Sequence, residues 1–187
     1  MSNNILTNPS IEAVESFNEV QQKDVKHLQS LVFGDINAQE IEEDFYHPIS
    51  AHLLAHIEEE LVGWAGIHQT QQEFEGIMIR IGGYGICTHK DFRQLGIAHK
   101  VSQDALNFLK DNGCQVGFLS IDPSNTASIN LHQKNGFILL PQKFSWTNSK
   151  GQIKQDRGGM IAPINSQPIF EQIIHSKNTL YVGNGYW

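Results

Sequence analysis

The sequence predicts a single α+β domain over residues 1–187: a mixed, mostly antiparallel central sheet with helices on both faces. Three observations carry this. The apolar runs Ala51–Ile57, Leu61–His68 and Ile77–Thr88 follow one another between polar or charged residues, as antiparallel strands joined by hairpins do. After Arg93 the apolar spacing becomes helical, with Ile97, Ala98, Val101, Ala105, Phe108 and Leu109 on one face. Beyond that helix, strand-like and helix-like stretches alternate, without a repeat or a linker to divide the domain.

In chain order, Ile11–Phe17 alternates as a first strand. Asn18 is a helix cap for a segment in which Val20, Val25, Leu28 and Val32 recur at helical spacing. A short helix is expected over Gln39–Tyr46, stopped by Pro48. The three-strand meander comes next. The helix from Ile97 ends at Asn112-Gly113, and Val116–Ile121 reads as a buried strand. Asp122-Pro123-Ser124-Asn125 opens a second helix, closed at Gly136. Phe137–Leu140 and Met160–Ile164 read as strands around a polar loop, 147–157, and Pro168–His175 reads as a helix. Glycines 82, 83 and 85 do not complete a nucleotide loop, because Thr88 stands at the third glycine position. They fit a bulge or a close backbone approach within the strand.

A chain of 187 residues is long enough to bury one sizeable core. With 40% hydrophobic and 18% charged residues it is an ordinary globular sequence. A formal net charge of −7 argues against general nucleic-acid binding, which needs a basic face. It is compatible with a cationic small molecule, but taken alone it reads first as a charge that keeps the chain in solution. Two cysteines, Cys87 and Cys114, make no disulfide framework and fit a reducing compartment. Neither a leader peptide nor a membrane-length apolar run is evident, so a cytoplasmic protein without membrane contact is expected. His52 and His56 share a strand face, but no third ligand follows at a recognisable spacing, and no metal is expected.

The chemistry concentrates in Ile86–Ala98, where a strand runs through Arg93-Gln94-Leu95-Gly96-Ile97-Ala98 into a helix. A helix start offers unpaired N–H groups and the positive end of the dipole, which favour phosphate. Gly96 admits close approach, Arg93 adds a charged donor, and small Ala98 keeps the helix near the sheet. After the buried strand comes Asn125-x6-His132-x3-Gly136-Phe137.

These two motifs, in this order, resemble the GNAT superfamily of N-acetyltransferases. Its signature is Arg/Gln-x-x-Gly-x-Gly/Ala followed by Asn-x6-Tyr-x3-Gly-Phe. The resemblance implies acetyl-CoA as co-substrate, with its pyrophosphate on the Arg93–Ala98 turn. It also implies a pantetheine arm paired with the backbone of Ile86, Cys87 and Thr88, and a contact from Asn125. Where the family places an acidic tyrosine, this chain has His132, an imidazole able to serve as general acid. The implied reaction is direct attack by a neutral amine on the thioester carbonyl in a ternary complex. Backbone N–H groups of the bulged strand would polarise that carbonyl, and no cysteine nucleophile takes part.

Within the superfamily, the chain from about Val32 onward is most similar to the aminoglycoside 2′-N-acetyltransferases. The likeness rests on Gly34-Asp35, Asp91-Phe92-Arg93, the Asp156 loop leading to Pro163-Ile164, and a terminal tryptophan. It implies Asp35, Asp156 and the carboxylate of Trp187 as substrate-binding groups. Two acids of that group are replaced: its strand glutamate falls at Tyr84, and an acid near the C-terminus falls at Gly185. An acetyltransferase for a small metabolite or peptide amine stays open beside the amino-sugar reading, as does a non-catalytic acyl-CoA-binding module. Dimerisation is common in the family, so a homodimer is compatible with the sequence.

Overall fold

A computed structural model of the chain describes residues 8–34 and 49–185. The elements are β1 (Ser10–Val14), α1 (Glu19–Phe33), β2 (Ala51–Ile57), β3 (Glu60–Phe74) and β4 (Ile77–Thr88). A 3-10 turn at Lys90–Phe92 leads to α2 (Ile97–Asp111), β5 (Val116–Ser120), α3 (Thr126–Lys134) and β6 (Ile138–Leu139). The remainder is β7 (Phe144–Thr147), β8 (Ile153–Asp156), β9 (Gly159–Pro163), α4 (Gln167–His175) and β10 (Leu180–Asn184). Seven strands form the main sheet in the order β1-β2-β3-β4-β5-β9-β6, and β10-β7-β8 form a smaller one. In the main sheet β4–β5 is parallel and the other pairs are antiparallel. The α+β expectation stands, with helices on both faces of the main sheet.

Local chemistry accounts for most boundaries. Asn18 and Gln21 exchange side-chain and backbone hydrogen bonds at 2.9 and 3.0 Å, a capping box that starts α1. Helix α2 buries Ile97, Val101, Ala105 and Leu109, spaced four apart along one stripe. Burying each of its three larger aliphatic side chains contributes about 1.5–3 kcal/mol. Gly113, at φ +75, ends it in the left-handed conformation that the Asn-Gly pair predicts.

One face of the sheet packs on α2 and α3 through Tyr84, Val101, Leu109, Leu119 and Phe137. On the other face lie two separate clusters. Val25 and Leu28 of α1 cover Leu54, Trp64 and Cys87. The small sheet and α4 cover Ile79, Ile81, Val116 and Phe118.

Several expectations are corrected. The loop expected over 147–157 is largely a hairpin: Asn148 Oδ1 accepts from Lys150 N and Gln152 N, and β7 and β8 pair on either side. The second meander strand runs on to Phe74, because its polar end pairs with Ile77–Ile81. The C-terminal segment adds β10, which the sequence had left unassigned. The expected bulge is absent from β4, whose register against β3 is unbroken from Ile77 to Thr88. Gly82 serves close approach instead, since an added Cβ would lie 2.4 Å from Leu109 Cδ2. Ala98 is only half-buried, and Gly63 is what lets α2 settle, its missing side chain making room for Ile97. The helix expected over Gln39–Tyr46 lies outside the described residues.

Candidate active site

Strands β4 and β5 run side by side for only two positions, Ile81↔Val116 and Gly82↔Gly117. β5 continues on β9 to Ser120, while β4 continues on β3 to Thr88. Past Gly82, therefore, the edge of β4 that faced β5 has no sheet partner among the described residues. Its backbone groups are available to a ligand's amides.

At the end of this split lies a cleft of about 510 Å³. It gathers Ile86, Cys87 and Thr88 from β4, Arg93, Gln94, Gly96, Ile97 and Ala98 from the turn and α2, and Asn125 before α3. Leu95 belongs to the same turn but is 46% exposed and does not line the cleft. Val32, Phe33 and Leu131 complete the apolar wall. Sequence reasoning missed these three. A second opening, about 380 Å³ beside Lys143, Arg157 and Lys177, holds none of the expected residues.

The turn is built for an anion. Gln94 and Gly96 both take left-handed backbone, at φ +65 and +82, which curls the chain around the helix start. An added Cβ at Gly96 would meet nothing within 4 Å, so the positive φ, not crowding, calls for glycine there. Among the described residues no side chain caps α2, which leaves its first N–H groups unclaimed where Gly96, Ile97 and Ala98 line the cleft. Arg93 lines the same cleft. These residues fit a diphosphate. Asn125 lines it too while its Oδ1 caps α3, accepting from Ser128 N at 3.1 Å.

Tyr84 and His132 lie behind the cleft, 3% and 4% exposed. The Tyr84 hydroxyl is 3.3 Å from His132 Nδ1, and Phe137 packs edge-on against both rings. Burial pushes the phenol up to about 12, against a smaller lowering by the Ser102 hydroxyl, which makes no hydrogen bond of ordinary geometry. Burial drives the imidazole down to about 4. Both groups are therefore neutral at pH 7, and one hydrogen bond satisfies them when the imidazole carries its proton on Nε2. The thiol of Cys87 is pushed up to about 12 by burial, outweighing its backbone bond to Trp64 and the nearby Arg93 charge. It offers no thiolate near neutrality.

Of the expected substrate-binding residues, only Asp156 lies among the described residues. Asp35 and Trp187 lie outside the described residues. Asp156 sits on exposed β8, where its Oδ1 accepts from Arg157 N at 2.6 Å, and it does not line the cleft. His52 Nδ1 accepts from Trp64 Nε1 at 3.2 Å and its ring stacks on Phe17. Among the described residues, no helix is long and apolar enough to cross a membrane.

No curated protein sequence matches the chain closely enough to count as a relative. Among solved structures, YhbS of Escherichia coli in complex with CoA superposes with a TM-score of 0.62 at 13% identity, over 98% of this chain and 93% of that one. The yncA protein of Salmonella typhimurium with acetyl-CoA gives 0.57 at 14% identity, over 86% and 96%. The ribosomal-protein-S18-alanine N-acetyltransferase of Escherichia coli gives 0.56 at 13% identity, over 84% and 94%. These likenesses show the fold. The sequence profile of the Acetyltransferase (GNAT) family matches residues 16–137, about two thirds of the chain, and the chain belongs to that family.

Proposed function

We propose that this acetyl-CoA-dependent N-acetyltransferase acetylates a small primary amine. The observation that carries the reading is the uncapped α2 start at Gly96, opening into the gap where β4 parts from β5. Arg93, Gln94, Gly96, Ile97 and Ala98 hold the diphosphate. Ile86, Cys87 and Thr88 offer backbone groups to the amides of the arm, and Asn125 bounds the site from α3. Acetyl-CoA supplies the thioester whose acetyl group moves to the amine.

Tyr84, which stands where the aminoglycoside group has its strand glutamate, and His132 are the two candidate catalytic groups, both neutral at pH 7. Driven down to about 4 by burial, the His132 imidazole is neutral at pH 7. In the tautomer with its proton on Nδ1, His132 donates to the phenol oxygen, and the freed Tyr84 hydroxyl proton goes to the leaving sulfur. The general base is unassigned.

For the acceptor, the −7 charge supports a cationic amine, an amino sugar such as an aminoglycoside among them. Tyr84, where the aminoglycoside group has a glutamate, favours a small-metabolite or peptide amine instead. Thiol release measured with tobramycin, spermidine and glycinamide distinguishes these. Release with one of them supports the enzyme reading and names the class. Tight acetyl-CoA binding with no release supports a non-catalytic acyl-CoA-binding module.

A further inference from the structure

Resting on that reading, we infer that Ser102 is a positioning residue for Tyr84. Its hydroxyl donates to the phenol oxygen as the phenol proton moves to the leaving sulfur, so that the phenolate forms between two donors. Ser102 lies on the buried stripe of α2 beside Val101 and Ala105, which pack in one cluster with Tyr84. It is 0% exposed, and among the described residues its Oγ has no hydrogen-bond partner.

A hydroxyl stranded at this depth is costly, because it has lost water and gained nothing in exchange. A serine within a helix ordinarily escapes that cost by donating to the carbonyl one turn back. Ser102 makes no such bond. Alanine, apolar and the better helix former, would remove the cost. A polar group kept unpaired in a core calls for a task outside the resting state.

The surroundings supply one. The Tyr84 phenol lies close enough for the Ser102 hydroxyl to lower its pKa, against the larger rise that burial causes. His132 Nδ1 stands 3.3 Å from the same phenol oxygen. A phenol oxygen that accepts from His132 keeps a lone pair, which becomes a stronger acceptor as the proton leaves. In the transfer the amine nitrogen bonds to the carbonyl carbon and the carbon–sulfur bond breaks, its electron pair staying on sulfur. The phenol proton passes to that sulfur, and the charge is left on the Tyr84 oxygen. Burial alone opposes this phenolate, pushing the phenol up to about 12, and donation from both Ser102 and His132 offsets part of that. The proton given up by the amine, carried through solvent, restores the phenol.

The test is a double-mutant cycle on Ser102→Ala and Tyr84→Phe. It is read by thermal melting, acetyl-CoA calorimetry, and turnover with whichever of tobramycin, spermidine and glycinamide the wild type acetylates. For Ser102→Ala, kcat should fall about tenfold, the loss of one hydrogen bond to a charged oxygen. The acetyl-CoA Kd and the amine KM should stay within about twofold, and the melting temperature should equal the wild type's or exceed it. Added to Tyr84→Phe, the same substitution should change kcat by less than about twofold, because no phenolate is left to hold. If the alanine variant fails to fold, Ser102→Cys, close in volume but a weak donor, carries the same comparison. Wild-type kcat in Ser102→Ala overturns the inference. So does an equal fall in kcat in both backgrounds, which a merely structural role would give. Full turnover in Tyr84→Phe, or a wild type that acetylates none of the three amines, marks instead the failure of the parent reading, and the inference falls with it.

Discussion

The Tyr84 hydroxyl stands 3.3 Å from His132 Nδ1, tying the splayed strand β4 to the last turn of α3 inside the core. Among the described residues, neither side chain has another hydrogen-bond partner of good geometry.

Tyr84→Phe removes the phenol proton and leaves Nδ1 buried without a partner. Turnover at saturating acetyl-CoA should fall about a hundredfold, within the range general acids contribute. Stability should drop by about 1–3 kcal/mol for the stranded polar atom. Steady-state kinetics beside urea unfolding checks both. Unchanged turnover would remove Tyr84 from the chemistry while leaving its packing role intact.

His132 predicts how stability varies with pH. Its folded pKa, about 4, lies below the ordinary imidazole value of 6.5, so between these values the unfolded chain binds more protons than the folded one. Stability is then complete above about pH 6.5 and is lost as the pH falls toward 4, by at most about 3 kcal/mol from this group. His52, also lowered by burial, adds in the same direction. Denaturant unfolding at pH 7.5 and pH 4.5 measures the slope, and His132→Gln should flatten it.

Gly82→Ala should destabilise by about 1–3 kcal/mol, because the new Cβ meets Leu109 Cδ2 at 2.4 Å and Cys114 Sγ at 2.7 Å in a filled core. Thermal melting checks it. A neutral result would mean that α2 retreats from the sheet more easily than its buried stripe suggests.

Glu75 fastens the β3–β4 hairpin to the end of α4: Gln172, Ser176 and Asn178 all donate to its carboxylate, holding its pKa below the usual value. Glu75→Ala should speed amide exchange at residues 176–180 without altering exchange in α2. Hydrogen–deuterium exchange resolved by peptide tests it.

The sequence made some of this legible because local rules and packing agreed. The stripe from Ile97 to Leu109, the Asn18 cap and the Asn112-Gly113 stop each carried one consistent signal. The Arg93–Ala98 turn was readable because glycine and arginine before an amphipathic helix have a physical meaning together. Less legible were β8, whose Ile153–Asp156 is exposed at every position, and the polar half of β3. Pairing rather than burial holds both in place. The Tyr84–His132 bond could not be read at all: it joins residues 48 apart, and both pKa values follow from burial that exists only after folding.

Calorimetric titration of the wild type and Arg93→Ala with CoA tests most directly whether the Arg93–Ala98 turn grips a diphosphate. The account predicts one site per chain, weakened about tenfold or more by the variant, as losing a charge-assisted hydrogen bond requires. No binding to the wild type, or equal affinity in the two proteins, would contradict it.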